Sequence, residues 1–511
     1  SARACGRMGR GVVRFAASTS VQSSPFCLCP FRLPRNVLTH FRGISAAGCA
    51  NPADVGRRVD GHTRGGRSGS ESAYEMVSEG GSASGPRGGT LGFVAEPVMG
   101  VGSSGAMGLL AWRRLQRQVA SATTLAELLQ IVRMGDLDMW PTISLATALH
   151  RLVRHSRRAS LAQDRADGGV GMTGRTPDMT TVILMLTDEL KRRRPASFDV
   201  VGLANTVYAL GCLRLHSEVM LADALCDSMA ERARELSEQH ICNAAYGLAL
   251  LRRRHQRVLD VVSWRLPEVF PQSTTQGLAN VLYAFAQLQH RDRRLVHAIC
   301  GQASTCLDRF AAQGIANSVY SLGVLRFWHE AFLEAACAES SRRLREFLPQ
   351  HVSNTAYGLA LLGFAHPGLL AAIAVHLTEA GRLAKFKPQE ISNTLHAFAL
   401  LCAGGCVRLG VVDPLPAFLR STIAETVKRM GTFAPQNLAN TMYALGLLET
   451  RDLRFLRAFH AEIHRRELRS FTAQGVANTV HGIALLFGHQ SQRVLLRRPR
   501  RRNSQREGKT L

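Results

Sequence analysis

One segment of the 511-residue chain recurs eight times, and nothing else in the sequence restricts its fold so strongly. LANTVYALGCL starts at Leu203, ICNAAYGLALL at Ile241, LANVLYAFAQL at Leu278 and IANSVYSLGVL at Ile315. VSNTAYGLALL follows at Val352, ISNTLHAFALL at Ile391, LANTMYALGLL at Leu438 and VANTVHGIALL at Val476. The shared Asn recurs as Asn205, Asn243, Asn280, Asn317, Asn354, Asn393, Asn440 and Asn478, at spacings of 38, 37, 37, 37, 39, 47 and 38. A ninth, degenerate copy, Ser144–Val153, has Thr147 in the Asn slot. A unit this short cannot bury its own apolar face, whereas stacked copies share a continuous core.

Within the unit the period is helical. With the shared Gln as position 1 and the Asn as position 5, apolar residues fall at positions 3, 7, 10 and 13, on one face of a three- to four-turn helix. Small residues at positions 4, 9 and 11 flank that face, where a neighbouring helix can come close. A linker such as Phe310–Gln313 or Phe386–Gln389 precedes this helix, and a second, more variable helix follows, for example Arg294–Phe310 or Phe332–Phe347. The expected fold is all-α: an α-solenoid of eight to nine stacked 37-residue helix–turn–helix repeats. The array proper spans 196–490. Residues 111–195 hold the degenerate copy and a Gly-rich insertion (Gly168–Gly174), and a loop insertion near Ala403–Pro416 explains the spacing of 47.

Positions 1, 5, 8 and 12 form a second stripe, opposite the apolar face. Position 8 is aromatic, with Tyr208, Tyr246, Tyr283, Tyr320, Tyr357 and Tyr443, and His396 and His481 in the other two copies. Two readings apply to this stripe. Amides and rings could line a groove, binding phosphate or sugar and stacking on bases; or the Asn ladder could be buried, bonding the backbone of the next repeat. The second is favoured for Asn, because a residue identical in every repeat cannot encode a sequence. Readout would need variable positions, and position 2 varies most: Gly202, His240, Gly277, Gly314, His351, Glu390, Asn437 and Gly475. Position 6 varies less.

The charge balance is one-sided, 63 Lys+Arg against 38 Asp+Glu for a net +25, as expected of a surface that meets a polyanion. Clusters recur after the first helix (Arg252, Arg253, Arg254; Arg291, Arg293, Arg294) and late in the second (Arg342, Arg343, Arg345; Arg465, Arg466), where stacking would align them as a rail along an edge. Residues 1–50 carry seven Arg and no acid, the composition of an organelle transit peptide, mitochondrial with plastid as the alternative. Residues 51–110 read as a Gly/Ser-rich disordered linker and 491–511 as a basic disordered tail suited to nucleic acid or a ribosomal surface. No transmembrane span, cofactor, metal site or catalytic residue is expected: GxxxxGK[ST], GxSxG and HExxH are absent, and the twelve cysteines form no C-x-x-C pair. Cys242, where other repeats carry Ala or Ser, reads as a small buried residue.

The pattern Q-x-[ILV]-[ASC]-N-[TSAV]-x-[YH]-[AGS]-[LFI]-[AG]-x-L at a period near 37 resembles the heptatricopeptide repeat family. That family is related to octotricopeptide repeats and to the FAST-kinase-like and RAP-domain organelle proteins. The pattern is also similar to the helical-repeat subunits of the RNA-editing substrate-binding complex. The first copy departs from it, with Val201 in the Gln slot. The resemblance implies an organelle-imported solenoid that binds single-stranded RNA and acts in rRNA or mRNA processing, stability, editing or mitoribosome assembly, beside ribosomal or RNA-processing proteins. Many relatives end in a RAP domain of nuclease-like fold, which is expected to be absent or truncated after Leu486. The alternatives are a protein scaffold of the TPR or armadillo kind, or a nuclease lacking its catalytic domain.

Overall fold

The structure, a computed structural model, describes residues 108–166, 176–405, 414–467 and 470–496. The acid-free leader, the Gly/Ser-rich linker, the Gly168–Gly174 insertion, part of the later insertion, the tail after Leu496, and Cys5, Cys27, Cys29, Cys49 and Cys406 lie outside the described residues. Among the described residues there are nineteen α-helices in tandem and no strand. Leu109–Ser121 (α1) and Leu125–Met134 (α2) lead in, and Thr142–Ala166 (α3) with Pro177–Arg192 (α4) forms the degenerate repeat. The first helices of repeats 1 to 8 are Val200–Cys212 (α5), Glu238–Leu251 (α7), Thr275–Gln287 (α9), Ala312–Leu325 (α11), Pro349–Leu362 (α13), Pro388–Ala403 (α15), Pro435–Leu447 (α17) and Ala473–Leu496 (α19). Their second helices are Val219–Glu231 (α6), Gln256–Glu268 (α8), Arg293–Ser304 (α10), Glu330–Arg342 (α12), Pro367–Thr378 (α14), Leu415–Lys428 (α16) and Leu453–Arg466 (α18). Each first helix packs on the first helix of the next repeat and each second on the next second, so the expected solenoid forms as two rows with one shared core.

Positions 3, 7, 10 and 13 fill that core: Leu203, Val207, Leu210 and Leu213 are all buried, as are their equivalents Leu278, Leu282, Phe285 and Leu288. Burying one such side chain contributes about 1.5–3 kcal/mol. The small residues do what their spacing predicts. Position 11 of one first helix meets position 9 of the next, and at three seams both are glycine: Gly211 with Gly247, Gly323 with Gly358, and Gly446 with Gly482. A Cβ on Gly323 or Gly446 would lie 2.6 Å from the carbonyl oxygen opposite, so backbone touches backbone there. The other seams have Ala or Ser in these slots.

The second helices end earlier than the sequence suggests. α10 stops at Ser304 and α12 at Arg342, and three-residue 3₁₀ turns, Leu307–Arg309 and Leu344–Glu346, lead into Phe310 and Phe347. The reason is that this Phe must leave the helical path to point into the core just before the next first helix. Phe198, Phe310, Phe347, Phe386 and Phe433 occupy this slot and are all buried. An arginine closing the second helix fastens the same turn. Arg232, Arg343, Arg429 and Arg466 donate from Nη1 to the carbonyls of Phe198, Phe310, Phe386 and Phe433 at 2.7, 2.8, 2.9 and 2.7 Å. Carboxylates hold the guanidinium groups in place: Glu235 for Arg232, Glu339 and Glu346 for Arg343, Glu425 for Arg429, and Glu462 for Arg466. Each clamp closes a repeat on itself.

At the opposite edge the first helices end on left-handed corners. Arg214 (φ 48°), Arg252 (54°), Gln289 (53°), Arg326 (52°), Gly363 (68°) and Glu449 (49°) occupy position 14. The residue after each donates its N–H back to the carbonyl of position 10, as Arg253 does to Leu248 (3.0 Å) and Phe327 to Leu322 (2.9 Å), a Schellman closure. Glycine is the ordinary occupant of such a corner, because a Cβ is strained there.

Candidate nucleic-acid interface

The position-8 rings form a column in three runs. Centroid separations are 6.1 Å for Tyr208–Tyr246, 5.7 Å for Tyr246–Tyr283, 6.4 Å for Tyr320–Tyr357, 5.7 Å for His396–Tyr443 and 5.3 Å for Tyr443–His481. His150 of the degenerate copy extends it, 5.5 Å from Tyr208. These are aromatic contact distances, with rings tilted against each other. A base sandwiched between two rings needs roughly 7 Å, twice the 3.4 Å stacking rise, more than these pairs leave. Within these pairs the rings lie against each other. No ring contact joins Tyr283 to Tyr320 or Tyr357 to His396 among the described residues. Tyr208, Tyr283 and His396 are buried, while Tyr246, Tyr320, Tyr357 and Tyr443 are half-buried with an edge toward solvent.

The Asn ladder runs beside this column. Asn243, Asn354 and Asn440 are buried and Asn205, Asn280, Asn317, Asn393 and Asn478 half-buried. The expected bonds from these amides to the backbone of the next repeat do not form among the described residues. The physical reason is that the neighbouring helix carbonyls already accept their own i+4 N–H groups. One cross-repeat bond joins two rungs directly, Asn478 Nδ2 to Asn440 Oδ1 at 3.3 Å.

Position 2 caps the first helix in three repeats. It is the third residue of the first helix, where a side chain can accept the N–H that opens the helix. His240 Nδ1 accepts from the Ser237 N–H (3.2 Å), His351 Nδ1 from Leu348 (3.3 Å) and Glu390 Oε2 from Lys387 (2.7 Å). Burial holds both imidazoles in the neutral, accepting form: it lowers the pKa of His240 and pushes that of His351 down to about 4. Asn437 is buried, and its carbonyl accepts from Ser392 Oγ (3.0 Å) across the repeat seam. Position 6 is buried as well, with Thr206, Thr441 and Thr479 donating to carbonyls one turn back on their own helices. Cys242 is buried and its thiol donates to Glu238 at 3.3 Å.

The arginine clusters divide. Arg343 is a clamp, its side chain 15% exposed, whereas Arg342 beside it is 66% exposed and paired to Glu339. Arg253 forms a two-pronged pair with Asp223 (2.9 and 2.6 Å), Arg254 bonds to Gln256 and to the Gln289 carbonyl, and Arg293 lies over the Phe327 ring. Arg252, Arg291 and Arg294 are exposed and make no ion pair or side-chain hydrogen bond among the described residues. Two more of that kind, Arg214 and Arg326, occupy the corner slot of Arg252 and escaped the sequence reading because each stands alone, outside any basic cluster. Comparing position 14 across repeats would have found them. Tyr283 connects the two features. Burial raises its pKa, and the charges of Arg214 and Arg252 oppose the rise.

An all-α solenoid, with a charged edge and runs of aromatic rings on its first-helix row, is what the geometry defines. Residues 178–404, a little under half of the chain, match the family of the RNA-editing substrate-binding complex 6 protein. This likeness connects the repeat with an RNA-editing-complex family and an RNA-related role. No curated protein matches the chain significantly. Among the described residues no helix is long and apolar enough to cross a membrane.

Proposed function

We propose that the chain binds single-stranded RNA along its first-helix row and serves as a helical-repeat subunit of an organellar RNA-editing or RNA-processing assembly. The match of residues 178–404 to the RNA-editing substrate-binding complex 6 family is the observation that carries this reading. The surplus of arginine and the exposed, unpaired guanidinium groups of the corner edge agree with it. The acid-free leader favours the mitochondrion. The protein works by holding RNA and neighbouring subunits, with no chemistry of its own. Ultraviolet crosslinking of the tagged protein in mitochondria, with sequencing of the attached RNA, tests it: reads should concentrate on a few organellar transcripts. Background-level RNA would shift the reading to a protein scaffold, for which the exposed Trp264 and Trp328 offer contacts.

A further inference from the structure

We infer that the left-handed corners of repeats 1 to 4 form a phosphate-binding edge, with Arg214, Arg252 and Arg326 as its fixed cations and the RNA backbone as its ligand. This rests on the RNA-binding reading above and adds where the strand lies. Four observations support it.

First, the three arginines occupy backbone that favours glycine, with φ between 48° and 54°, and repeat 5 shows that glycine serves there. Local strain of this kind collects at binding sites. Second, none of the three has a carboxylate or hydrogen-bonding partner among the described residues. At the other edge the guanidinium groups of Arg232, Arg343, Arg429 and Arg466 are fastened to carbonyls and carboxylates. The exposed Arg234, Arg309 and Arg345 of that edge sit in three-residue turns that each hold an acid: Glu235, Asp308 or Glu346. Third, Arg214 and Arg252 occupy the same corner of successive repeats whose first helices pack side by side, and the charge of each opposes the rise in the pKa of Tyr283. Arg291 and Arg294 add further unpaired charge at the next corner, where Gln289 occupies the slot. Fourth, the edge has an end. Position 14 becomes Gly363 in repeat 5 and Glu449 in repeat 7, which cannot hold phosphate.

Parallel first helices packed side by side place equivalent positions about 8–10 Å apart, a spacing suited to an extended strand that meets one cation per repeat. An arginine at a helix C-terminus is also favoured by the helix dipole, and the experiment separates the two roles.

The test uses the full chain and a fluorescein-labelled 20-nucleotide oligouridylate, with affinity read by anisotropy from 50 to 300 mM salt. The triple variant Arg214→Gly, Arg252→Gly, Arg326→Gly should bind at least about tenfold more weakly at low salt. Its slope of log affinity against log salt should be shallower by about 2, since each single-strand phosphate contact contributes roughly 0.7. Its Tm should hold or rise, because glycine relaxes all three corners. Gly363→Arg should tighten binding by extending the edge. Arg234→Ala, Arg309→Ala, Arg345→Ala removes equal charge from the other edge and should leave affinity within about twofold. If the corner variant keeps its affinity and slope and only loses stability, the arginines serve the helix dipole and the inference falls. Equal losses from both triple variants would also overturn it, as an effect of net charge. Absence of salt-dependent binding by the unaltered protein would instead defeat the RNA-binding reading itself.

Discussion

An arginine that ends a second helix and an arginine that follows a first helix meet opposite fates. At the clamp edge, Arg343 reaches back to the carbonyls of Asp308 and Phe310 and lies between Glu339 and Glu346. At the corner edge, Arg252 meets neither carbonyl nor carboxylate among the described residues. The residue type and the charge are the same, but the backbone direction differs. A second helix closes beside its own repeat's entry turn, where Phe310 leaves an open carbonyl. A first helix closes in a Schellman turn that satisfies its own carbonyls, so the side chain is left pointing outward. The excess of arginine in this chain therefore has two uses, and one of them is structural.

Three measurements break or sharpen this contrast. The largest effect is expected for Arg343→Ala, which removes charge-assisted bonds from a mostly buried group and leaves Glu339 with a weaker partner. A loss of about 2–3 kcal/mol in urea denaturation is expected. Arg342→Ala, one residue away and 66% exposed, should leave the transition in place. Similar losses for both would show that the clamp is no stronger than an ordinary surface pair.

A second, intermediate effect concerns pH at the clamp edge. Burial sets the pKa of His351 at about 4, below the ordinary histidine value of about 6.5. Between these values the unfolded chain takes up a proton that the folded chain does not, so stability is full above pH 6.5 and falls as pH drops toward 4. Thermal melts should show a lower Tm at pH 5 than at pH 7. His351→Gln retains an oxygen that can accept the Leu348 N–H and cannot take up this proton, so part of the fall should disappear. Identical pH profiles would remove His351 as a source of the slope.

The smallest effect belongs to the corner edge. Arg293 lies over the Phe327 ring, 5.2 Å from its centroid, and an exposed cation–π contact contributes about 0.5 kcal/mol. Arg293→Ala should cost no more than that in urea, far less than the clamp variant. A loss matching that of Arg343→Ala would erase the distinction between the edges.

Most of the fold could be read from the repeat itself: two helices per unit, the buried positions 3, 7, 10 and 13, and the small residues at the seams. The site was harder to read, for reasons visible in particular residues. Position 2 varies because several side chains can satisfy one opening N–H, as His240, His351 and Glu390 do, and such freedom is indistinguishable in sequence from variation in a binding site. Arg342 and Arg343 look alike in a row of letters, but Arg342 is the last residue of the helix and Arg343 its C-cap, where the chain turns away, which sends one to solvent and the other under the turn. The column of rings was legible as a stripe, but which rings touch was not, because the lean of each ring onto its neighbour depends on the seam. His150 was missed because its unit lacks the Asn that identifies the others.

The glycine seams have a consequence for descent. Gly211 answers Gly247, Gly323 answers Gly358 and Gly446 answers Gly482, and each pair brings bare backbones together. Removing repeat 4 would set Ala286 of repeat 3 against Gly358, placing a methyl where only hydrogen fits at the present spacing. Removing repeat 5 would set Gly323 against Ala397 and lose the backbone contact. The eight units are similar in sequence, yet they are not interchangeable. Their order is written where they touch, so the array can tolerate the loss or duplication of a unit only where the neighbours brought together match.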